Sequence, residues 1–425
     1  MMKHLNTRSL LLAAMTVGAP FASQVHAAGF QLNEHSAAGL GRAFAGEAAY
    51  GDNAAAIARN PALATRFDSL SISAGVTHVN PEVDAEGEVS YLGGLATANA
   101  DEEDFAPSAW VPNAYLVQPI NDRWSWGLSL NSHFGLSTDF GNDYNGADLA
   151  DEAEIITYNI NPSVAYKLTD TISLGLGLSL VKADATFGTA VPLDVPFPFA
   201  PAPIAKGSQI LKLEGDDTSW GWNVGATWEA TDALRLGLAY RSEVELTLEG
   251  DSTSDISPAF NQGGSLDLDL PAGAELSGVY QLTPAWNISA SVQWTDWSVF
   301  ESLEVDFDDG TQQHLKDENF EDNMRYSIGT TYEFNKNWTA RLGLAYDESA
   351  VSAEYRSLSI PDTDRIWYSA GFTYRYDQHL SVDFAATYLD GEEVDLTETS
   401  SLGTTFSGST HGDAELLSFS INYTF

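Results

Sequence analysis

From about residue 69 to its end the chain alternates. Trp124, Trp126, Leu128 and Leu130 fall on one parity, and Ser125, Gly127, Ser129 and Asn131 on the other. The run from Ile172 to Leu180 does the same over nine residues, with serine and glycine on its second face. Leu234 to Tyr240 and Ala340 to Tyr346 are near copies of each other. A period of two predicts strands with one apolar and one small or polar face. In a soluble sandwich the apolar face meets a core. In a membrane barrel it meets lipid, and glycine, serine and charge line the lumen.

Six short polar breaks punctuate the alternation, at 121–124, 169–171, 231–233, 283–286, 335–338 and 376–379. The longer intervening segments are acidic or rich in Pro and Gly: 101–104, 141–151, 189–215, 250–264, 306–321 and 390–411. Short turns at one end and long loops at the other are the asymmetry of outer-membrane barrels. Six tight turns imply seven hairpins, so the predicted fold is an all-β membrane barrel of about fourteen antiparallel transmembrane strands over 69–425. The last strand alternates strictly from Leu417 to Phe425. A terminal phenylalanine in that setting is the expected signal to the barrel assembly machinery.

Residues 28–68 do not alternate. Two alanine-rich stretches predict short helices with Ser36 and Asp52 as N-caps, the second ended by Pro61. A fourteen-strand barrel leaves a lumen, and this segment is expected to plug it as a small helical hatch. Ahead of it stand a basic start (Lys3, Arg8), an apolar run from Leu10 to Val17, and Val25, His26 and Ala27 as a cleavage site. Residues 1–27 therefore read as a secretory signal peptide.

Composition narrows the function. The chain has 19 Lys+Arg against 60 Asp+Glu, a net charge of −41, and no cysteine. Phosphates would be repelled, so no nucleic-acid partner is expected. There is no thiol nucleophile or Cys-ligated metal, no EF-hand spacing, and no nucleophile elbow, His-Glu-x-x-His or P-loop. No cofactor and no metal site is expected, and the acidic loops are expected to face water and lipopolysaccharide.

Blocks at 28–34 (AGFQLNE), 39–43 (GLGRA), 59–63 (RNPAL), 109–113 (AWVPN), 240–244 (YRSEV), 294–298 (WTDWS) and 359–367 (SIPDTDRIW) occur in order. Together they resemble the FadL family of outer-membrane long-chain fatty acid transporters, which includes channels for aromatic hydrocarbons. The resemblance implies a fourteen-strand barrel with an N-terminal hatch, in the outer membrane of a Gram-negative bacterium. It also implies capture of a hydrophobic ligand at extracellular loops, passage gated by the hatch, and lateral release beside a kinked third strand. A monomer is expected.

Candidate residues follow. The Pro-rich segment 191–204, with Val195, Phe197 and Phe199, is a stiff apolar loop suited to capture. By the resemblance Asn60, Pro61 and Ala62 lie near the lateral opening; as a bare sequence they mark a helix stop. Gly135 is the expected kink of the third strand. Lys182 stands where the family carries one carboxylate-anchoring cation, and equally reads as a plain lumenal charge. The second expected cation is replaced by Glu321, with Arg325 and the free amine of Ala28 as substitutes. That departure leaves an uncharged hydrocarbon open as the ligand. A hydrophilic porin and a barrel enzyme acting on lipids are the competing readings; the porin has no use for a plug.

Overall fold

The computed structural model describes residues 29–196 and 203–425. The leader at 1–27, Ala28, Phe197 and Phe199 lie outside the described residues.

Fourteen antiparallel staves close into a barrel. They are β1 (Ser71–Tyr91), β2 (Ala109–Pro119), β3 (Trp124–Asn131, resumed at Gly135–Asp139), β4 (Glu152–Lys167), β5 (Ile172–Ala190), β6 (Gln209–Glu229) and β7 (Leu234–Arg241, resumed at Thr247–Thr253). Then follow β8 (Gln262–Asp267 and Gly273–Thr283), β9 (Trp286–Thr295 and Ser302–Phe307), β10 (Gln312–Asp317 and Asn323–Glu333), β11 (Trp338–Asp347), β12 (Arg365–Arg375), β13 (Leu380–Gly391 and Val394–Thr399) and β14 (Thr405–Thr424). Closure is made by β1 on β14, in register from Ser71 opposite Thr424 to Ser90 opposite Thr405. No helix among the described residues is long and apolar enough to cross a membrane.

The six tight turns stand where the polar breaks predict them. The long loops do not all stand as loops. Strand covers 209–215, 312–317 and most of 390–411, and reaches 250–253 and 262–264, so the barrel rises well above the membrane band. Out there the outer face meets water instead of lipid and carries acidic and polar side chains, so these strands read as loops, while Leu303, Val305, Leu396 and Phe406 still turn inward and are buried.

Outward-facing aromatics form two girdles. Trp338 and Tyr346 lie eight residues apart on β11 and are exposed, as are Tyr368 on β12 and Tyr376 just past its end; on β9 Trp286 is exposed and Trp294, eight residues on, is half-buried. At about 3.4 Å per residue and a ~40° tilt this is roughly 20 Å of height, close to the apolar band of outer-membrane barrels. Between them Leu174, Leu176, Ile328, Leu342 and Ile421 present the greasy surface.

The segment ahead of β1 fills the lumen, but mostly not as α-helix. Ser36 caps α1, which runs only over Ala37–Leu40. The second stretch is a 3-10 turn, Ala54–Ala58, capped by Asn53 rather than Asp52. Pro61 does not end it; Pro61 opens a further 3-10 turn, Pro61–Arg66, with Asn60 as its cap. Helix is unnecessary because the wall satisfies the hatch backbone. Gly46 N–H donates to Ser291 at 2.8 Å, Ala48 to Ser277 at 3.1 Å and Ala54 to Ser73 at 3.1 Å. A buried N–H needs a partner, not a particular one.

Close approach also explains two lumenal glycines. A Cβ on Gly343 would lie 2.0 Å from the carbonyl carbon of Arg42, and one on Gly225 would lie 1.8 Å from the Asn60 side chain. Gly343→Val is therefore expected to leave a heat-modifiable barrel that folds, while displacing the hatch by an overpacking penalty of roughly 1–3 kcal/mol. The check is single-channel conductance in planar bilayers, which should rise in the variant as the plug loosens.

Candidate functional site: a plugged break in the wall beneath an apolar lumen

One seam of the wall is incomplete. The β2–β3 ladder runs only from Ala114 opposite Leu130 to Pro119 opposite Ser125. Beyond residues 132–134, β3 resumes at Gly135 and pairs with β4 alone. Gly135 thus marks the upper end of the break, while the break itself falls on Ser132, His133 and Phe134. Higher up, Asp139 N–H crosses to the Phe105 carbonyl at 2.8 Å. The interruption also reverses parity: Ser129 and Asn131 are buried below it, Phe134 and Leu136 above it.

The hatch supplies the missing strand. Gln31 bridges Phe134 antiparallel. Leu32 N–H donates to the His133 carbonyl at 2.7 Å, and Gly135 N–H to the Phe30 carbonyl at 2.8 Å. The Tyr115 hydroxyl on β2 holds the His35 carbonyl at 2.9 Å. Residues 30–35 therefore lie across the seam, bonded to both its sides.

Above the plug the lumen turns apolar. Phe134, Leu136, Ile155, Val181, Val244, Leu246, Leu248, Leu268 and Leu270 form one buried cluster with Phe30 at its foot. Phe30 packs edge-on against Trp297 at 4.6 Å and Phe300 at 5.5 Å. Gly29 has φ +61° and lies flat against Trp297, where any Cβ would sit 2.5 Å from the indole. The cavity up this track, from Leu136 and Ile155 to Leu248, Leu266 and Leu303, has a volume of about 70 Å³.

Charges pin the hatch from below and above. Buried Arg42 pairs with Glu47 at 2.7 Å and Asp52 at 2.6 Å, and Arg341 on β11 reaches Asp52 at 3.1 Å. Burial pushes the Glu47 carboxyl up, yet the hydrogen bond from His35 and the Arg42 charge hold it at about 2. Burial pushes Glu34 up to about 7, against its backbone hydrogen bonds and the Arg325 charge. From the extracellular side Asp362 accepts from the Gly29 backbone and from Ala350 N–H at 2.7 Å, and pairs with Arg365 at 2.6 Å. One carboxylate thus ties the start of the hatch to the loop between β11 and β12.

The sequence-derived candidates scatter. Lys182 shares the outward parity of Leu174, Leu176 and Leu178 and pairs with Asp184 at 2.8 Å and, more loosely, Asp216 at 3.8 Å. It faces away from the lumen, so neither reading of it as a lumenal charge holds. Arg325 does face inward, with its guanidinium 4.6 Å over Trp367, 3.6 Å from Asp347 and 3.1 Å from the Ala43 carbonyl. Glu321 is exposed in the loop before lower β10. Val195 bridges Ile204 across the Pro-rich loop. Asn60, Pro61 and Ala62 press on Gly225 of β6 and Gly175 of β5, away from the β3 break. Sequence reasoning passed over Phe30, Trp297 and Asp362 as chemistry, although each stands within or beside the blocks that carried the resemblance.

The comparisons agree with this architecture. A family model described as outer membrane protein transport protein (OMPP1/FadL/TodX) matches residues 18–425. A long-chain fatty acid transport protein of Escherichia coli O6:H1 is 40% identical, over 100% of this chain and 99% of its own. Outer membrane protein P1 of Haemophilus influenzae is 34% identical over 100% of both. Among solved structures, a Pseudomonas aeruginosa FadL homologue superposes with a TM-score of 0.82 at 26% identity, covering 94% of this chain and 100% of that one. The Pseudomonas putida toluene transporter TodX shares the fold at a TM-score of 0.65 and 18% identity, covering 88% and 94%. Match, relatives and plugged barrel converge: this chain is an outer-membrane protein of the OMPP1/FadL/TodX family.

Proposed function

We propose that the protein takes up hydrophobic solutes across the outer membrane, with long-chain fatty acids as the principal ligands, and that it is not an enzyme. The observation that carries this reading is the break in β3, plugged by residues 30–32 directly beneath an apolar lumen. The Pro-rich loop collects the ligand, the apolar track takes its chain, and movement of the hatch unplugs the seam. Exit is sideways into the lipid. Lateral release spares the ligand about 0.8 kcal/mol of rehydration for each CH₂. The name borne by the 40% identical relative favours a fatty acid over an aromatic hydrocarbon. The family's toluene channels are more distant, and they support only the related reading of an aromatic ligand.

The same reading assigns the remaining partners. Outward carboxylates at the upper rim face lipopolysaccharide, and the protein works as a monomer. The alternating end of β14, with Phe425 exposed and its N–H on the Leu70 carbonyl, is the contact for barrel assembly. Mass spectrometry of lipids copurifying with the barrel tests the ligand class: fatty acids are expected, and their absence beside bound aromatic hydrocarbons would reverse the preference.

The gate has its own test. Gln31 and Phe134 form a non-hydrogen-bonded antiparallel pair, for which Cα atoms stand about 4.5 Å apart, within disulfide range. The chain has no native cysteine, so Gln31→Cys with Phe134→Cys gives a single bond. Oxidised, this variant is expected to bind fatty acid at the cell surface without internalising it, and reductant is expected to restore uptake. The capture loop is tested separately. Val191 and Ser208 are already hydrogen-bonded at 2.9 Å, so residues 192–204 can be replaced by a short turn. Uptake at limiting ligand should then fall while the maximal rate is kept.

A further inference from the structure

Where the polar and apolar halves of the lumen meet, one arginine has no acidic partner. Arg241 ends lower β7 on the same inward parity as Arg235, which donates to the Ala49 carbonyl of the hatch at 3.2 Å. Its guanidinium donates to the Ala58 carbonyl at 2.8 Å and reaches the Ser179 hydroxyl at 3.4 Å. No carboxylate of the described residues lies within ion-pair distance of it. In a chain of net charge −41, whose buried arginines 42, 325, 341 and 365 all meet acids, that is a departure. A buried charge left with neutral partners is costly unless something else matches it.

A second observation lies one strand away. Asn223, directly opposite Arg241 in the β6–β7 ladder, is 1% exposed. Its carbonyl oxygen accepts from Asn161 at 2.8 Å, but its NH₂ group has no hydrogen-bond partner. A guanidinium held only by neutral oxygens and an amide NH₂ with no partner stand on adjacent strands, where one acidic acceptor group could take both.

The surroundings say which acceptor. A small cavity of about 10 Å³ touches Arg241, Ser179, Asn159 and His133 on one side and Phe134, Val181, Val244 and Leu270 on the other. The latter four belong to the apolar cluster that continues up to Leu248 and Phe300. β7 itself makes the junction. Its ladder lapses between Arg241 and Thr247, and across the lapse buried positions change from odd (Ala239) to even (Val244, Leu246, Leu248). The strand therefore offers a cation and then an apolar ladder along one path.

We propose that Arg241, with Asn223 beside it, is the receptor for the carboxylate of a single-chain amphipathic acid whose alkyl tail runs up the apolar track toward the extracellular side. This rests on the uptake reading above and moves the anchoring role from Lys182 and Arg325 to a residue the earlier reasoning treated only as part of a sequence block. It also couples binding to the gate. The carboxylate competes with the Ala58 carbonyl for the guanidinium, because a bidentate ion pair adds a second charge and a second hydrogen bond that a neutral carbonyl does not offer. The hatch turn Ala54–Ala58 thereby loses a tether to the wall.

The test compares dodecanoate with dodecanol, which share a tail and differ in the head, on detergent-purified wild type, Arg241→Met and Arg241→Lys. Dodecanoate affinity is expected to fall roughly ten- to hundredfold in Arg241→Met and to be partly kept in Arg241→Lys, with dodecanol unchanged in both. In wild type, hydrogen exchange at 54–60 should quicken with dodecanoate and not with dodecanol. Equal loss of both ligands in Arg241→Met would make Arg241 a structural tether and overturn the proposal. So would unchanged dodecanoate binding, or wild type that binds dodecanol and not the acid. Wild type that binds neither would overturn the uptake reading itself, and this assignment with it.

Discussion

Inside a bilayer no water is present to satisfy a peptide group, so every N–H and C=O that faces lipid must find a partner in the protein. Thirteen of the fourteen seams in this barrel meet that constraint with a strand ladder. The seam between β2 and upper β3 does not, and the deficit is made up by backbone from the hatch at residues 30–32. Plug and wall are for that reason not independent parts. The hydrogen bonds that complete the wall are the same ones that hold the hatch across the gap.

The lumen is divided along its axis by what it has to hold. Its lower part is lined with serine, glycine and paired charge, because it carries the backbone of the hatch. Ser277, Ser291 and Ser73 take hatch N–H groups, and Gly343 and Gly225 leave room for hatch atoms that any side chain would displace. The upper part has no such burden and is filled by Leu136, Ile155, Leu248 and their neighbours. Two staves change parity where the two regimes meet, β3 at residues 132–134 and β7 between Arg241 and Thr247. A local loss of ladder is what lets a strand turn its other face inward.

Charge follows the same division. The large acidic excess lies on loops and strand extensions in water, where it is screened. The cations are concentrated inside, as Arg42 with Glu47 and Asp52, Arg325 with Asp347 and Trp367, and Arg341 with Asp52. Asp362 joins the two regions, since it binds both the start of the hatch and the loop above it.

The sequence alone determined the architecture, because membrane strands impose a strict period of two and their tight turns need recognisable residues. Strand number, the six turns, the terminal alternation to Phe425 and the capping role of Ser36 all follow from patterns within a few neighbouring residues. What lies above the membrane escaped, since there the outer face is acidic rather than apolar and the strands lack the greasy outward face that marks a membrane stave. The site escaped for another reason. Lys182 falls on the apolar parity of Leu174, Leu176 and Leu178, so its outward direction was legible in the alternation, and only the family resemblance turned it inward. Whether Pro61 stops a turn or starts one depends on the wall glycines beside it. The meeting of Phe30 with Trp297, and of Arg241 with Asn223 and Ala58, joins residues far apart in the chain that only closure of the barrel brings together. Tertiary structure decided these, because a lumen is made by all fourteen strands at once and no local pattern encodes which residues will share it.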